Sequence, residues 1–158
     1  MEVENKIPKS CKVVVIGGGV AGCSTAYHLA KYGWKDTVLL ERDILTSGTT
    51  WHAAGLIGQL GSSATITKLR NYSLNLYKKL EEETGLSTGL KQNGSLTVAT
   101  TTDRLEELKR QLTFAQRFDI EAKQVSNEEI KEIYPLINTE DLVGGVFIKK
   151  DGQADPVG

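Results

Sequence analysis

Gly17-x-Gly19-x-x-Gly22 constrains this chain more than any other stretch, because of what flanks it. Lys12-Val13-Val14-Val15-Ile16 comes first, a short run dominated by β-branched residues. That is the pattern of a strand buried on both faces. Val20 to Lys31 follows and reads as a helix, with small or apolar residues on its packing side and Gly33 at the stop position. Thr37-Val38-Leu39-Leu40-Glu41 is a second buried strand. Strand, tight glycine turn, helix, strand is a βαβ unit, which sets the fold class as α/β with a parallel sheet.

Alone, such a glycine motif is unspecific. Here Glu41 stands nineteen residues past Gly22, at the end of the second strand. That spacing completes the Rossmann-like dinucleotide fingerprint. Gly17 permits the tight turn, Gly19 lets the backbone approach a pyrophosphate, and Gly22 lets helix and strand pack closely. The free backbone N–H groups and the helix dipole then attract the anion. A carboxylate at Glu41 accepts hydrogen bonds from ribose hydroxyls and disfavours a 2′-phosphate, which argues against NADP.

The pattern changes from Arg42 to Ala64. LTSGTTWHAAGLIGQLGSS has neither helical nor alternating period, and a long structureless stretch inside a compact domain is usually functional. In an NAD enzyme the second strand commonly runs on into another crossover helix. The hydroxyls and exposed amides of this loop suit instead a pyrophosphate and a ring system, which favours FAD. Taken alone, His52 in this loop is more often a solvated or hydrogen-bonded bystander than a functional group. His28, within the first helix beside Tyr27, reads as structural.

Downstream, helical spacing returns at Ile66, Leu69, Leu76 and Leu80 and ends at Thr84-Gly85. Gly94 to Ala99 reads as a strand. Leu105, Leu108, Leu112 and Ala115 mark an amphipathic helix. Ser126-Asn127-Glu128-Glu129 is a capping box opening a short helix that Pro135 stops. Val143 to Lys149 reads as a strand, and residues 151–158 as a turn-rich stretch leading to a further element.

The composition excludes several functions. The 158 residues are about one domain's worth of chain. Nineteen basic against twenty acidic residues leave a net charge of −1, without the basic excess of a general nucleic-acid binder. Cys11 and Cys23 make neither a disulfide framework nor a zinc site and read as buried thiols in a reducing compartment. The weakly polar run from Val13 to Cys23 is too short for a membrane span, which needs about 18 residues or more. Val20-Ala21-Gly22-Cys23 imitates a lipoprotein cleavage box, but the glycine-rich stretch before it is no signal core. Residues 1–10 are expected to be a flexible polar terminus without the arginines of a transit peptide. The expected location is the cytoplasm, or the mitochondrial matrix in a eukaryote.

VVVIGGGVAGCSTAYHLAKYGWKDTVLLER followed by LTSGTTWHAAGL resembles the family of sarcosine and dimethylglycine dehydrogenases and dimethylglycine oxidase, within the wider group of FAD-dependent amine oxidoreductases. Residues 80–110 and 132–156 continue the resemblance, which covers residues 11–158, with the FAD fingerprint in 11–60. The most specific piece is SGTTWHAAGL. The resemblance implies that Val20 and Ala21 meet FAD phosphate through their amides and that Glu41 and Arg42 hold the adenosine end. It implies that Gly48, Thr49, Thr50, Trp51, His52, Ala53, Ala54, Gly55 and Leu56 wrap the pyrophosphate and flavin. His52 matches the family's histidine bonded covalently to the flavin 8α-methyl carbon.

The implied reaction is oxidation of an N-methyl amine such as sarcosine or dimethylglycine. Electrons then leave to an electron-transfer flavoprotein or to oxygen. The one-carbon product is formaldehyde, or passes to tetrahydrofolate where a folate domain is present. The chain is then expected to be the truncated start of a two-domain enzyme, inactive alone, with the substrate-binding residues beyond Gly158. No residue present is assigned to substrate catalysis, and neither a metal, a nucleic acid nor a membrane is expected as partner. The alternative is a non-catalytic FAD-binding or regulatory relative of the same fold. The intact TTWHAAG loop favours the enzyme.

Overall fold

The computed structural model describes residues 8–157, so most of the expected flexible terminus lies outside the described residues. Two compact units divide the chain, one ending at Ala53 and the other spanning Ala54–Pro156.

The first unit is the βαβ motif. Strand β1 (Val13–Ile16) pairs in parallel with β2 (Thr37–Leu40), in a register from Val13↔Thr37 to Ile16↔Leu40. Helix α1 (Val20–Lys31) makes the crossover. It ends as Gly33 foretold. Gly33 sits at φ +86°, its N–H donates to Ala30 O, and Trp34 N–H donates to Leu29 O. That pair of reversed bonds is the Schellman arrangement, which satisfies carbonyls the last turn leaves without partners. Both cysteines are half-buried rather than buried, because a sheet of two strands encloses too little volume.

In the second unit, β4 (Ser95–Ala99), β6 (Gly144–Ile148) and β5 (Ala122–Val125) form an antiparallel sheet with β6 in the centre. Alternation of side chains across β6 splits the core in two. Val146 and Ile148 pack with Leu108, Ala115 and Ile120, from and just after helix α3 (Thr102–Gln116). Phe147 packs instead with Val125, Leu142 and Ile130, the last from helix α4 (Asn127–Ile133). The expected capping box is present in full: Ser126 Oγ accepts from Glu129 N, and Ser126 N donates to the Glu129 carboxylate. Helix α2 (Ala64–Thr84) is capped by Ser63 and stopped by Gly85 at φ +74°.

Three stretches depart from the expectation. Strand β5 was not legible, because Lys123 and Gln124 are poor strand formers and only the ladder with β6 recruits them. The stretch from Arg42 to Ala64 is not structureless. It holds a one-turn 3₁₀ helix at Thr50–His52 and strand β3 (Leu56–Ile57). The stretch after residue 150 contains β7 (Gly152–Gln153), antiparallel to β3.

Candidate functional site

The site grows from the glycine turn. Gly17 has φ +104°, a region closed to side-chain-bearing residues without strain, and its N–H donates to Leu40 O at 2.8 Å. A Cβ at Gly22 would lie 1.8 Å from Gly17 O, so α1 can approach β1 only with glycine there. Gly19 is the N-cap of α1 and has no side chain to cap with. The first-turn amides of a helix lack intrahelical acceptors and carry the positive end of its dipole. Val20 and Ala21 present this end at the surface, and α1 has no acidic residue in its first turn to compete with an anion.

Glu41 follows β2, as the fingerprint requires, and its carboxylate is turned back onto the turn. Oε2 accepts from Gly18 N at 2.6 Å; Oε1 accepts from Arg42 N at 2.7 Å and Asp43 N at 3.1 Å. These amides, Gly18 foremost, hold the Glu41 carboxyl below the usual carboxylate range, with a smaller Coulombic contribution from Arg42. Arg42 itself is exposed.

The chain then doubles back over the glycines. Thr46 adopts φ +68° and its N–H donates to Gly18 O at 3.0 Å. Leu45 takes up the space beside Gly18, where a Cβ would meet Leu45 Cδ2 at 2.6 Å. Gly18 was missed as a site residue. Its signal was the unbroken run Gly17-Gly18-Gly19, where the motif asks only for the outer two.

Val20 N–H donates to Thr50 Oγ1 at 3.0 Å. Thr50 opens the 3₁₀ turn that carries Trp51 and His52, with Thr49 as its N-cap. The His52 ring lies against Trp51, centroids 3.8 Å apart and planes at 34°. His52 Nδ1 is 3.1 Å from Gly48 O. A carbonyl only accepts, so this bond requires the hydrogen on Nδ1, and in the neutral ring Nε2 then has the lone pair.

Among the expected site residues, Gly17 and Gly22 meet in the turn, Val20 and Thr50 share a hydrogen bond with Gly19 beside it, and Glu41 reaches the turn through Gly18. Gly48, Thr49, Trp51 and His52 form the adjoining turn, and Ala53 closes it by donating to Thr50 O at 3.1 Å. Ala54, Gly55 and Leu56 belong to the second unit. There Gly55 has φ +70°, its O accepts from Ala154 N, and Leu56 pairs with Gln153. His28 bonds within its own helix, to Ser24.

The first unit therefore offers an anion-binding helix terminus, a carboxylate for hydroxyl groups and a solvent-facing imidazole beside an indole. Glycines at the close approaches and the absence of a first-turn acid suit a dinucleotide's pyrophosphate. No metal-binding cluster of His, Cys, Asp or Glu occurs among the described residues. None of the described helices is long and apolar enough to cross a membrane.

Known proteins are similar to this chain. Sarcosine dehydrogenase, mitochondrial, of Homo sapiens is 47% identical over 153 residues, covering 96% of this chain and 17% of that protein. Dimethylglycine dehydrogenase, mitochondrial, of Rattus norvegicus is 43% identical over 145 residues, 92% of this chain and 17% of that protein. The chain thus spans about a sixth of the length of these relatives. The crystal structure of L-proline dehydrogenase from P. horikoshii superposes with a TM-score of 0.87 at 31% identity, covering 95% of this chain and 39% of that one. The FAD dependent oxidoreductase family, DAO, matches residues 12–158. The chain belongs to the DAO family of FAD-dependent oxidoreductases.

Proposed function

We propose that this chain forms the cofactor-holding portion of an FAD-dependent enzyme that oxidises the N-methyl C–N bond of sarcosine or dimethylglycine. The observation that carries the reading is the joint between the α1 N-terminus and the turn of His52, made by Thr50 at 3.0 Å from Val20 N. It puts an anion site and a nucleophilic nitrogen on one small frame. The names of the relatives above support the substrate class.

FAD, when bound, supplies the two-electron acceptor for the N-methyl carbon, a task no side chain performs. The chain's own residues bind and orient it. Gly17, Gly19 and Gly22 let the pyrophosphate approach the α1 end at Val20 and Ala21. Glu41, with Arg42 beside it, holds the adenosine end. Three of roughly four acceptor positions on its carboxylate are taken by amides, which leaves about one for a ribose hydroxyl. The turn from Gly48 to Ala53 would lie along the pyrophosphate and flavin.

His52 is the attachment residue in this reading. Its Nε2 would be the atom through which the ring holds the flavin, while Nδ1 donates its hydrogen to Gly48 O. An electron-transfer flavoprotein or dioxygen takes the electrons onward. Tetrahydrofolate takes the carbon where a folate-binding domain accompanies the chain.

The test uses the full-length protein. Its flavin should survive acid precipitation and fluoresce with the polypeptide on a denaturing gel. The tryptic peptide from Asp43 to Lys68 should carry the added mass, on His52. Sarcosine or dimethylglycine should reduce a dye through it. Complete release of flavin by acid overturns the attachment role. Retained flavin that neither amine reduces overturns the substrate assignment and favours a regulatory relative.

A further inference from the structure

Thr50 has two attachments that no other described residue of the first unit combines. Its side chain sits on the anion site, where Oγ1 accepts from Val20 N at 3.0 Å. A Cβ built at Gly19 would meet the same oxygen at 3.0 Å. Because Gly19 provides no cap, a hydroxyl thirty residues further on does the N-cap's work for α1. Its backbone, meanwhile, opens the turn that presents His52: Thr50 O accepts from Ala53 N at 3.1 Å, and the turn runs Thr50–His52. A hydroxyl has one hydrogen to donate and two lone pairs to accept with. Val20 N uses one lone pair, and no acceptor for the Thr50 hydroxyl hydrogen occurs among the described residues.

The Val20 amide is one of the two amides expected to meet phosphate, and Thr50 holds it. A phosphate oxygen arriving at this helix end therefore meets the Ala21 amide and the Thr50 hydroxyl. We propose that Thr50 is a positioning residue that couples pyrophosphate occupancy to the placement of His52. Its hydroxyl accepts from Val20 N and donates to a phosphate oxygen, so that cofactor arrival clamps the turn from Thr50 to His52. The proposal rests on the reading that the first unit holds FAD and that His52 attaches to it.

The experiment takes the full-length protein prepared flavin-free, with Thr50→Val and Thr50→Ser, each in the His52 and the His52→Ala background. The His52→Ala forms report reversible FAD affinity by flavin fluorescence. The His52 forms report the rate of acid-stable flavin formation at saturating FAD. Hydrogen exchange of the peptide covering residues 43–53, with and without FAD, reports the turn directly.

Thr50→Val should weaken FAD about tenfold or more, the loss of one charge-assisted hydrogen bond. It should slow attachment about tenfold even at saturation, and should abolish the FAD-induced protection of residues 48–53. Thr50→Ser, which keeps the hydroxyl and drops the methyl, should restore all three. Attachment by Thr50→Val at the wild-type rate under saturating FAD overturns the proposal, and so does a Thr50→Ser variant as impaired as Thr50→Val.

The parent protein serves as the control for the underlying reading. If it binds FAD but forms no acid-stable flavin, His52 loses the attachment role. Affinity and exchange then decide the clamp: values unchanged in Thr50→Val overturn it, and values lowered there but restored in Thr50→Ser uphold it. If the parent binds no FAD, both fall together.

Discussion

In the first unit Val15 is the one apolar side chain among the described residues that is buried, at 9% exposure. In the second, Ala99, Leu108, Ala115 and Ile130 all stand at 0%. The sheets explain the contrast. The β4-β6-β5 sheet is covered by α3 on one face and α4 on the other. The β1–β2 pair has α1 against the side of Val15, while Ile16 on the opposite side remains 85% exposed. Val14 and Leu40 add to that bare apolar face. The unit that carries the site is thus held by backbone hydrogen bonds and glycine contacts, and the other by a core. A frame with little core of its own gains most from whatever binds it.

The largest effect on FAD binding belongs to Gly22→Ala. A methyl 1.8 Å from Gly17 O overlaps backbone that cannot move aside without opening the turn. Overpacking of this kind costs about 1–3 kcal/mol or more, and the turn it opens is the anion site. FAD uptake by the full-length variant should fall about a hundredfold, measured by flavin fluorescence, while the amides of 95–99 and 144–148 keep their exchange protection. Loss of protection in those strands would break the division between the two units.

Leu108→Ala tests the other side. At 0% exposure in the α3 core, it should cost about 2–5 kcal/mol. Val15→Ala should cost only about 1.5 kcal/mol, two methyl groups at roughly 0.8 each. Urea melts of the full-length variants, followed locally by hydrogen exchange, should rank them in that order.

FAD itself should sharpen the contrast. At a hundredfold excess over its dissociation constant a ligand adds about 2.7 kcal/mol to the state that binds it. Slower exchange should therefore be confined largely to residues 12–53. Equal protection of the α3 core would mean that the two units open together.

Smaller still is the loss from Ser126→Ala, which removes the capping box of α4. About 1 kcal/mol is expected, visible as faster exchange at residues 128–130 with FAD affinity unchanged.

The finest distinction is electrostatic. Glu106 and Glu107 titrate below the usual range chiefly through Lys109 and Arg104, and Glu121 through Lys149, all at the surface. Glu41 is lowered chiefly by the amides of Gly18 and Asp43. A carboxyl lowered in the folded state favours folding above its ordinary range and loses that contribution as pH falls through the lower value. In 1 M salt the Debye length is about 3 Å. The three surface glutamates should drift back toward ordinary values there, and Glu41 should stay low, as read by carboxyl carbon shifts in an NMR titration. A Glu41 that drifts with the others would mean that Arg42 holds it rather than the turn.

Legibility followed the range of the interactions rather than that divide. Each role assigned to Gly17 and Gly22 is met by a local conformation or contact, because the steric demands of the turn act within a few residues. The same holds for Gly33 closing α1 and for the box at Ser126 and Glu129. Strand β5 failed because Lys123 and Gln124 say nothing in favour of a strand until β6 lies beside them. Strands β3 and β7, two residues each, are too short to show any period.

By itself the sequence determined the α/β class, the glycine turn, the position of Glu41 at the end of β2 and the unusual chemistry of the loop around His52. These rest on residue types and spacings that act over a turn or a strand. Only the tertiary structure decided that the Glu41 carboxylate faces Gly18, that Thr50 caps α1, and that Gly48 O leaves the lone pair of His52 on Nε2. Two of these three contacts join residues more than twenty positions apart, and the third depends on how the turn is wound. Hydrogen bonds of that kind obey geometry and leave no period in the chain, so folding alone reveals them.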